Sequence, residues 1–224
     1  MGAQSSNLGR NVCLSSLLGE FVPGTTVDRQ CGSGQQAIHF AAQGVLSGTQ
    51  DLVIAGGVES MSQVPIGASI IDGVKADHGM PYGQKITERY PGVRFNQFAG
   101  AEMLVEKYEL TSQELNEFAL ASHMKAKQAI EERRFEKEIV PIEVELEDGS
   151  VSMHTQDEGV RLDATLGAIS GLQPMAEGGV LTAANASQIC DGAAAVMIAN
   201  GETCKRLGLK PLARIIAMSV VGSD

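Results

Sequence analysis

Residues 37–57 constrain the fold more than any other stretch of the chain. Apolar side chains at Ala37, Ile38, Ala41, Ala42, Val45 and Leu46 recur at the spacing of one buried helical face. Asp51-Leu-Val-Ile-Ala-Gly-Gly57 follows at once and reads as a short strand buried on both faces. Ahead of the helix, Thr25-Thr-Val27 has strand character. Strand, turn, helix and strand in that order make a compact α/β unit. A chain of 224 residues is long enough to bury a substantial core around such a unit.

The turn inside this unit carries Cys31, directly before the helix. A thiol placed there faces N–H groups without a helical partner and the positive end of the helix dipole, and both favour the nucleophilic thiolate. Gly32 and Gly34 remove bulk around the sulfur, so a carbonyl and backbone donors can approach it. Cys31 is therefore the candidate catalytic nucleophile, suited to covalent acyl chemistry, against the plain alternative of a small buried thiol. Cys13 and Cys204 fall on predicted helices and read as packing residues, and Cys190, ahead of an all-apolar run, reads as buried. No Cys-x-x-Cys spacing occurs, so neither a zinc site nor a redox pair is expected, and a reducing cytoplasmic setting is the default.

His39 lies eight residues beyond Cys31 on the same helix, about 12 Å along its axis, too far to serve as its base. His78, His123 and His154 read as surface or hydrogen-bonded polar residues. Met61, Met80, Met103 and Met175 read as scattered core filling, with the lining of an acyl tunnel as the alternative. A net charge of −10 argues against a nucleic-acid or anionic-membrane surface, so a phosphate-bearing ligand would need local basic or backbone-amide pockets. No apolar run approaches membrane-spanning length, and no signal-peptide pattern opens the sequence.

Along the rest of the chain, residues 11–20 read as a helix end, and prolines and glycines in 64–100 mark a long excursion in place of sheet core. Thr111-Ser-Gln-Glu114 is a capping box opening a helix to about Arg134. Its apolar face is assigned to Leu115, Phe118, Ala119, Ser122, Ala126 and Ile130. The charge run 131–138 reads as a solvated helix end. Alternation over 142–146 before Asp148-Gly149 signals a hairpin. A buried strand over 193–199, a helix over 201–207 and a strand over 212–221 complete the pattern. The expected domains are 1–58, the first part of an α/β domain; 59–178, a helical, loop-rich insertion; and 179–224, a return to the α/β domain.

With these residues in hand, the chain resembles the thiolase family of acyl-CoA acyltransferases. Val27-Asp-Arg-Gln-Cys-Gly-Ser-Gly34, Ile54-Ala-Gly-Gly-Val-Glu-Ser-Met61 and Thr182-Ala-Ala-Asn-Ala-Ser-Gln-Ile-Cys-Asp-Gly-Ala-Ala-Ala195 carry the likeness. Gly100-Ala-Glu102 and Phe118-Ala-Leu-Ala-Ser-His123 resemble the family's loop domain. The resemblance implies a layered α/β thiolase-like fold, here its first α/β half with the insertion. It also implies acyl transfer through a Cys31 thioester, either thiolytic cleavage of a 3-ketoacyl-CoA or the reverse Claisen condensation. By the same likeness Ser187 contacts the pantetheine arm of coenzyme A, Arg161 lies near its nucleotide end, and the insertion forms much of the coenzyme A surface. No metal or redox cofactor is implied, coenzyme A being substrate and product, and the family's homodimer interface lies near Cys31 and 56–61.

The departures concern completeness. A whole family member is roughly twice as long, with a second half bearing an Asn-rich oxyanion motif, a Gly-His-Pro histidine and a Cys-x-Gly cysteine. No Gly-His-Pro occurs here, and Gln188 and Cys190 stand where Gly and Asn or Ser are common. The expectation is a chain truncated at both ends that needs the C-terminal half for full activity. Two other readings stay open: a non-catalytic, coenzyme A-binding or dimerising remnant, and a condensing enzyme of ketoacyl-synthase type.

Overall fold

The computed structural model describes residues 6–93 and 95–222. Its elements are α1 (Leu8–Ser15), a 3-10 turn (Gly19–Phe21), α2 (Ser33–Leu46), β1 (Leu52–Ser60), α3 (Ala68–Lys75), α4 (Gln84–Arg89) and α5 (Gln97–Tyr108). These are followed by α6 (Ser112–Glu131), β2 (Ile142–Glu145), β3 (Val151–His154), α7 (Leu166–Ser170), β4 (Asp191–Ala199) and α8 (Gly201–Leu207). Two compact units result, one of Met1–Pro81 with Cys190–Asp224 and one of Tyr82–Ile189.

The first unit is built on an antiparallel pair, β1 with β4, in register from Leu52 opposite Ala199 to Ser60 opposite Asp191. Helix α2 packs on this pair, burying His39, Ala41 and Ala42 against it, and Ala55 of β1 is buried in return. The expectation that β1 is buried on both faces does not hold. Leu52, Ile54 and Val58, which alternate with Val53 and Ala55, remain exposed (38–49%), because among the described residues the pair has a helical layer on one side only. Alternate side chains of a strand point to opposite faces, so a single layer covers only half of them.

Other expected strands also fail for want of a ladder. Among the described residues, neither 209–222 nor 25–27 form a strand. The latter are bolted instead to α1: Asn7 Nδ2 donates to the Gly24 carbonyl (2.7 Å), the Gly9 N–H donates to Thr26 Oγ1 (3.0 Å), and that hydroxyl donates to Asn7 Oδ1 (3.0 Å). A Cβ at Gly9 or Gly24 would collide with the opposing backbone, so this approach requires glycine on both sides. Helix α8 forms as expected; Asn200 caps it by accepting from the Thr203 N–H and ties it to β1 through Asp51 (2.9 Å).

The 64–100 excursion contains α3, α4 and the start of α5 rather than bare loop. Its glycines 67, 79 and 92 all have positive φ, and they separate short helices instead of replacing them.

In the second unit the capping box forms as expected, with Thr111 Oγ1 accepting from the Glu114 N–H and the Glu114 carboxylate accepting from the Thr111 N–H. The Thr111 backbone N–H, and then its hydroxyl, hold the Glu114 carboxyl below the ordinary carboxylate value. The Asp148-Gly149 turn joins β2 to β3, with Gly149 at φ +78°. The charge run 131–138 is exposed throughout. Of the face expected for α6, Ala119 is buried and Leu115, Ala126 and Ile130 are half-buried, but Phe118 is 77% exposed and Ser122 is exposed, while Asn116 and Ala129 are buried instead. The amide at 116 conceals its place on that face, and the aromatic ring at 118 suggests a burial that this helix does not give it.

Candidate active site

Cys31 is exposed and stands one residue before Gly32, the N-cap of α2. Gly32 brings no side chain to cap the helix, and although the Ser33 N–H is taken by the Gln30 carbonyl, those of Gly34 and Gln35 are left for an outside acceptor. The turn is made by its own neighbours. Gln30 adopts φ +50°, a conformation L-residues rarely take. It is held there by its N–H donating to Asp28 Oδ1 (2.9 Å) and by its carbonyl accepting from Ser33 Oγ (2.6 Å) and the Ser33 N–H (3.0 Å). Ser33 Oγ also accepts from the Arg29 N–H (2.8 Å), and the Arg29 guanidinium reaches Gln36 Oε1 (3.3 Å). The turn runs through Cys31 into the first residue of α2 and leaves the thiol exposed ahead of the helix.

At the far end of β1, Asp191 joins two of the motifs read from sequence. Its carboxylate accepts from Ser60 Oγ (3.0 Å), the Ser62 N–H (2.9 Å) and Ser62 Oγ (2.5 Å). The Ser62 hydroxyl, then the Ser62 N–H, hold this carboxyl below its ordinary value. Cys190, immediately before it, is exposed and not buried as expected: among the described residues, no second layer covers the first residues of β4. Cys13 is buried, in keeping with a packing role, and Cys204 is half-buried.

Ser187 and Arg161 lie in the second unit, both exposed. Their loops are joined, since Gln188 Nε2 donates to the Gly159 carbonyl (3.0 Å). The Arg161 N–H donates to His123 Nδ1 (3.1 Å), and Lys127 Nζ donates to the Leu162 carbonyl (3.0 Å), so α6 holds the Arg161 loop. His123 thus acts as an acceptor for backbone, a hydrogen-bonded polar residue as expected. Beside this loop, a cavity of about 420 Å³ is lined by His154, Asp157, Glu158 and Val160 among others.

The segment leading to Ser187 is fixed by residues that the sequence reading did not single out as site residues. The Glu102 carboxylate on α5 accepts from the Val180 and Leu181 N–H groups (both 3.0 Å). A Cβ on Gly179 would strike that carboxylate, which explains a glycine there. Asn185 accepts from the Thr182 N–H (2.8 Å) and donates to Asn116 on α6 (3.2 Å). A cavity of about 370 Å³, lined by Asn96, Phe98, Ala99, Glu102, Met175 and Leu181, adjoins this segment. Met175 lines this cavity but is half exposed, and Met80 and Met103 are exposed, so none of these three fills a core. Among the described residues, no cluster of three or more His, Cys, Asp or Glu is placed to hold a metal.

Residues 1–202 match the thiolase N-terminal domain family. The chain belongs to the thiolase family. It is 43% identical to the steroid 3-ketoacyl-CoA thiolase FadA6 of Mycobacterium tuberculosis, over all of this chain and 54% of that protein. It is 37% identical to the 3-ketoacyl-CoA thiolase of Bacillus subtilis, over 98% of this chain and 56% of that one. The crystal structure of the Bacillus anthracis acetyl-CoA acetyltransferase superposes with a TM-score of 0.83 at 35% identity, over all of this chain and 57% of its own. This thiolase chain thus spans about half the length of the relatives it matches, and its fold is a partial thiolase-like α/β fold. No helix among the described residues is long and apolar enough to cross a membrane.

Proposed function

We propose that this chain carries the acylation half of a thiolase reaction on acyl-CoA, with Cys31 as the nucleophile. The Cys31 thiolate attacks the thioester carbonyl of an acyl-CoA. A new C–S bond forms to the enzyme, the C–S bond to coenzyme A breaks, and the coenzyme A thiolate leaves and takes a proton from solvent. The N–H groups at the start of α2 are the donors for the oxyanion. Ser187 contacts the pantetheine arm, and Arg161 serves the nucleotide end. The insertion over 59–178 provides much of the coenzyme A surface. Beyond coenzyme A as substrate and product, the chemistry calls for no cofactor.

The observation that carries this reading is the Cys31 turn: an exposed thiol ahead of an uncapped helix start, held by Asp28 and Ser33 of the same motif. The full cycle, cleavage of a 3-ketoacyl-CoA or the reverse condensation, draws its second cysteine and its histidine from the C-terminal half found in longer relatives. We place the assembled enzyme in the cytoplasm as a homodimer or tetramer.

Intact-mass measurement of the chain after exposure to acetyl-CoA tests the nucleophile. The expected result is one acetyl adduct that Cys31→Ala abolishes. An adduct that survives Cys31→Ala assigns the chemistry to another group, and coenzyme A binding without any adduct favours the non-catalytic reading. Full turnover by the 224-residue chain would overturn the division of labour.

A further inference from the structure

We propose that Asn116 is a positioning residue for coenzyme A binding, acting through Asn185 to hold the loop that presents Ser187. The proposal rests on the reading of that loop as the pantetheine contact.

Asn116 is only 4% exposed, on the helix face it shares with Ala119 and Ala126. Burying an amide among small apolar side chains is unfavourable unless both of its ends are bonded, and a leucine or alanine would serve packing better. Both ends are bonded. Asn116 Oδ1 accepts from Asn185 Nδ2 (3.2 Å), and Asn116 Nδ2 donates to Ser170 Oγ at the end of α7 (3.4 Å). Asn185 in turn closes the 182–185 turn on itself: its Oδ1 accepts from the Thr182 N–H, and its own N–H donates to the Thr182 carbonyl (3.2 Å). Glu102 fixes the incoming end of the same segment at Val180 and Leu181. Between Leu181 and Ser187, therefore, Asn116 is the scaffold residue that grips the turn, and Ser187 follows Asn185 by two residues. Ser170 continues the chain to α7, so two helices support one loop.

Replacement by aspartate keeps both partners, because a carboxylate accepts from Asn185 Nδ2 and from the Ser170 hydroxyl, at a cost in stability for the buried charge, whereas leucine keeps neither. The test is calorimetric titration of coenzyme A into the full chain and its variants, with amide exchange over 180–187. Asn116→Leu is expected to weaken binding by about tenfold or more and to speed exchange at Thr182. Asn185→Ala is expected to do the same without altering α6. Asn116→Asp should restore affinity to within about threefold. Wild-type affinity in Asn116→Leu and Asn185→Ala, or an equal loss in the aspartate and leucine variants, overturns the proposal. A parent chain that binds no coenzyme A overturns the underlying reading of the loop instead. In that case, unchanged exchange at Thr182 in Asn116→Leu would show that Asn116 does not hold the turn either.

Discussion

The turn that carries Cys31 and the loop that carries Ser187 are both short, exposed and rich in small residues, yet they are held in opposite ways. Every bond that shapes the Cys31 turn comes from within five residues of it: Asp28, Arg29, Gln30, Ser33 and Gln36. The 180–188 loop is gripped by Glu102, Asn116 and the Gly159 carbonyl, 78, 69 and 29 residues away from their partners. A locally held turn is specified as soon as its own residues are chosen. A remotely held loop exists only once α5 and α6 are in place, so it inherits every disturbance of those helices. The nucleophile is thus insulated from the scaffold, and the proposed coenzyme A contact depends on it.

Removing a remote anchor should therefore cost more than removing a local one. Glu102→Ala leaves two N–H groups, at half-buried Val180 and buried Leu181, without their carboxylate. The expected loss is about 2–4 kcal/mol in urea unfolding followed through the second unit. Ser33→Ala removes the hydroxyl that both accepts from Arg29 and donates to Gln30, yet water reaches these groups readily. About 1 kcal/mol is expected, with the main effect on the rate of Cys31 acylation by acetyl-CoA. If Ser33→Ala proves the more destabilising of the two, the contrast between the regions is wrong.

The same contrast governs what the sequence discloses. The Thr111–Glu114 capping box, the Asp148-Gly149 hairpin and α8 over 201–207 are legible because each is written in adjacent residues. The Cys31 turn is legible for the same reason. Glu102 and Asn116 are not, because nothing near either residue says which backbone it will meet. Residue type also misleads: Phe118 looks like core and Asn116 like surface, and the burial of α6 inverts them. The burial of strands is the least legible, since the apolar runs at 52–58 and 212–221 have the composition of buried strands, and burial depends on layers and ladders supplied from elsewhere.

A smaller, pH-dependent effect separates Asp191, a long-range clasp within the first unit, from the local turn. Its folded-state value lies below the unfolded one, so the stability it contributes is fully present above the unfolded value of about 3.9 and is lost as the pH falls through the folded value. Acid titration followed by circular dichroism should show the loss of stability below about pH 4 flattened in Asp191→Asn, while Cys31 acylation near neutral pH stays unchanged. A mutant whose acid profile matches the parent would mean the clasp also persists in the unfolded chain.

The smallest expected change is the most pointed. Gln30 (φ +50°) and Glu109 (φ +53°), the latter ending α5, both hold left-handed backbone that glycine adopts without strain. Gln30→Gly and Glu109→Gly should each stabilise the chain by about 0.5 kcal/mol, the relief of strain being partly offset by the entropy of glycine in the unfolded state. Their effects on chemistry should part company. Glycine at 30 can leave the kinked turn for other conformations, so Cys31 is no longer fixed ahead of α2 and acylation should slow by about three- to tenfold. Glycine at 109 only eases a helix end and should leave acylation untouched. Equal stabilisation with unequal reactivity would show that the strain at Gln30 serves to place the thiol; equal reactivity would reduce it to a feature of the backbone, no different from the end of α5.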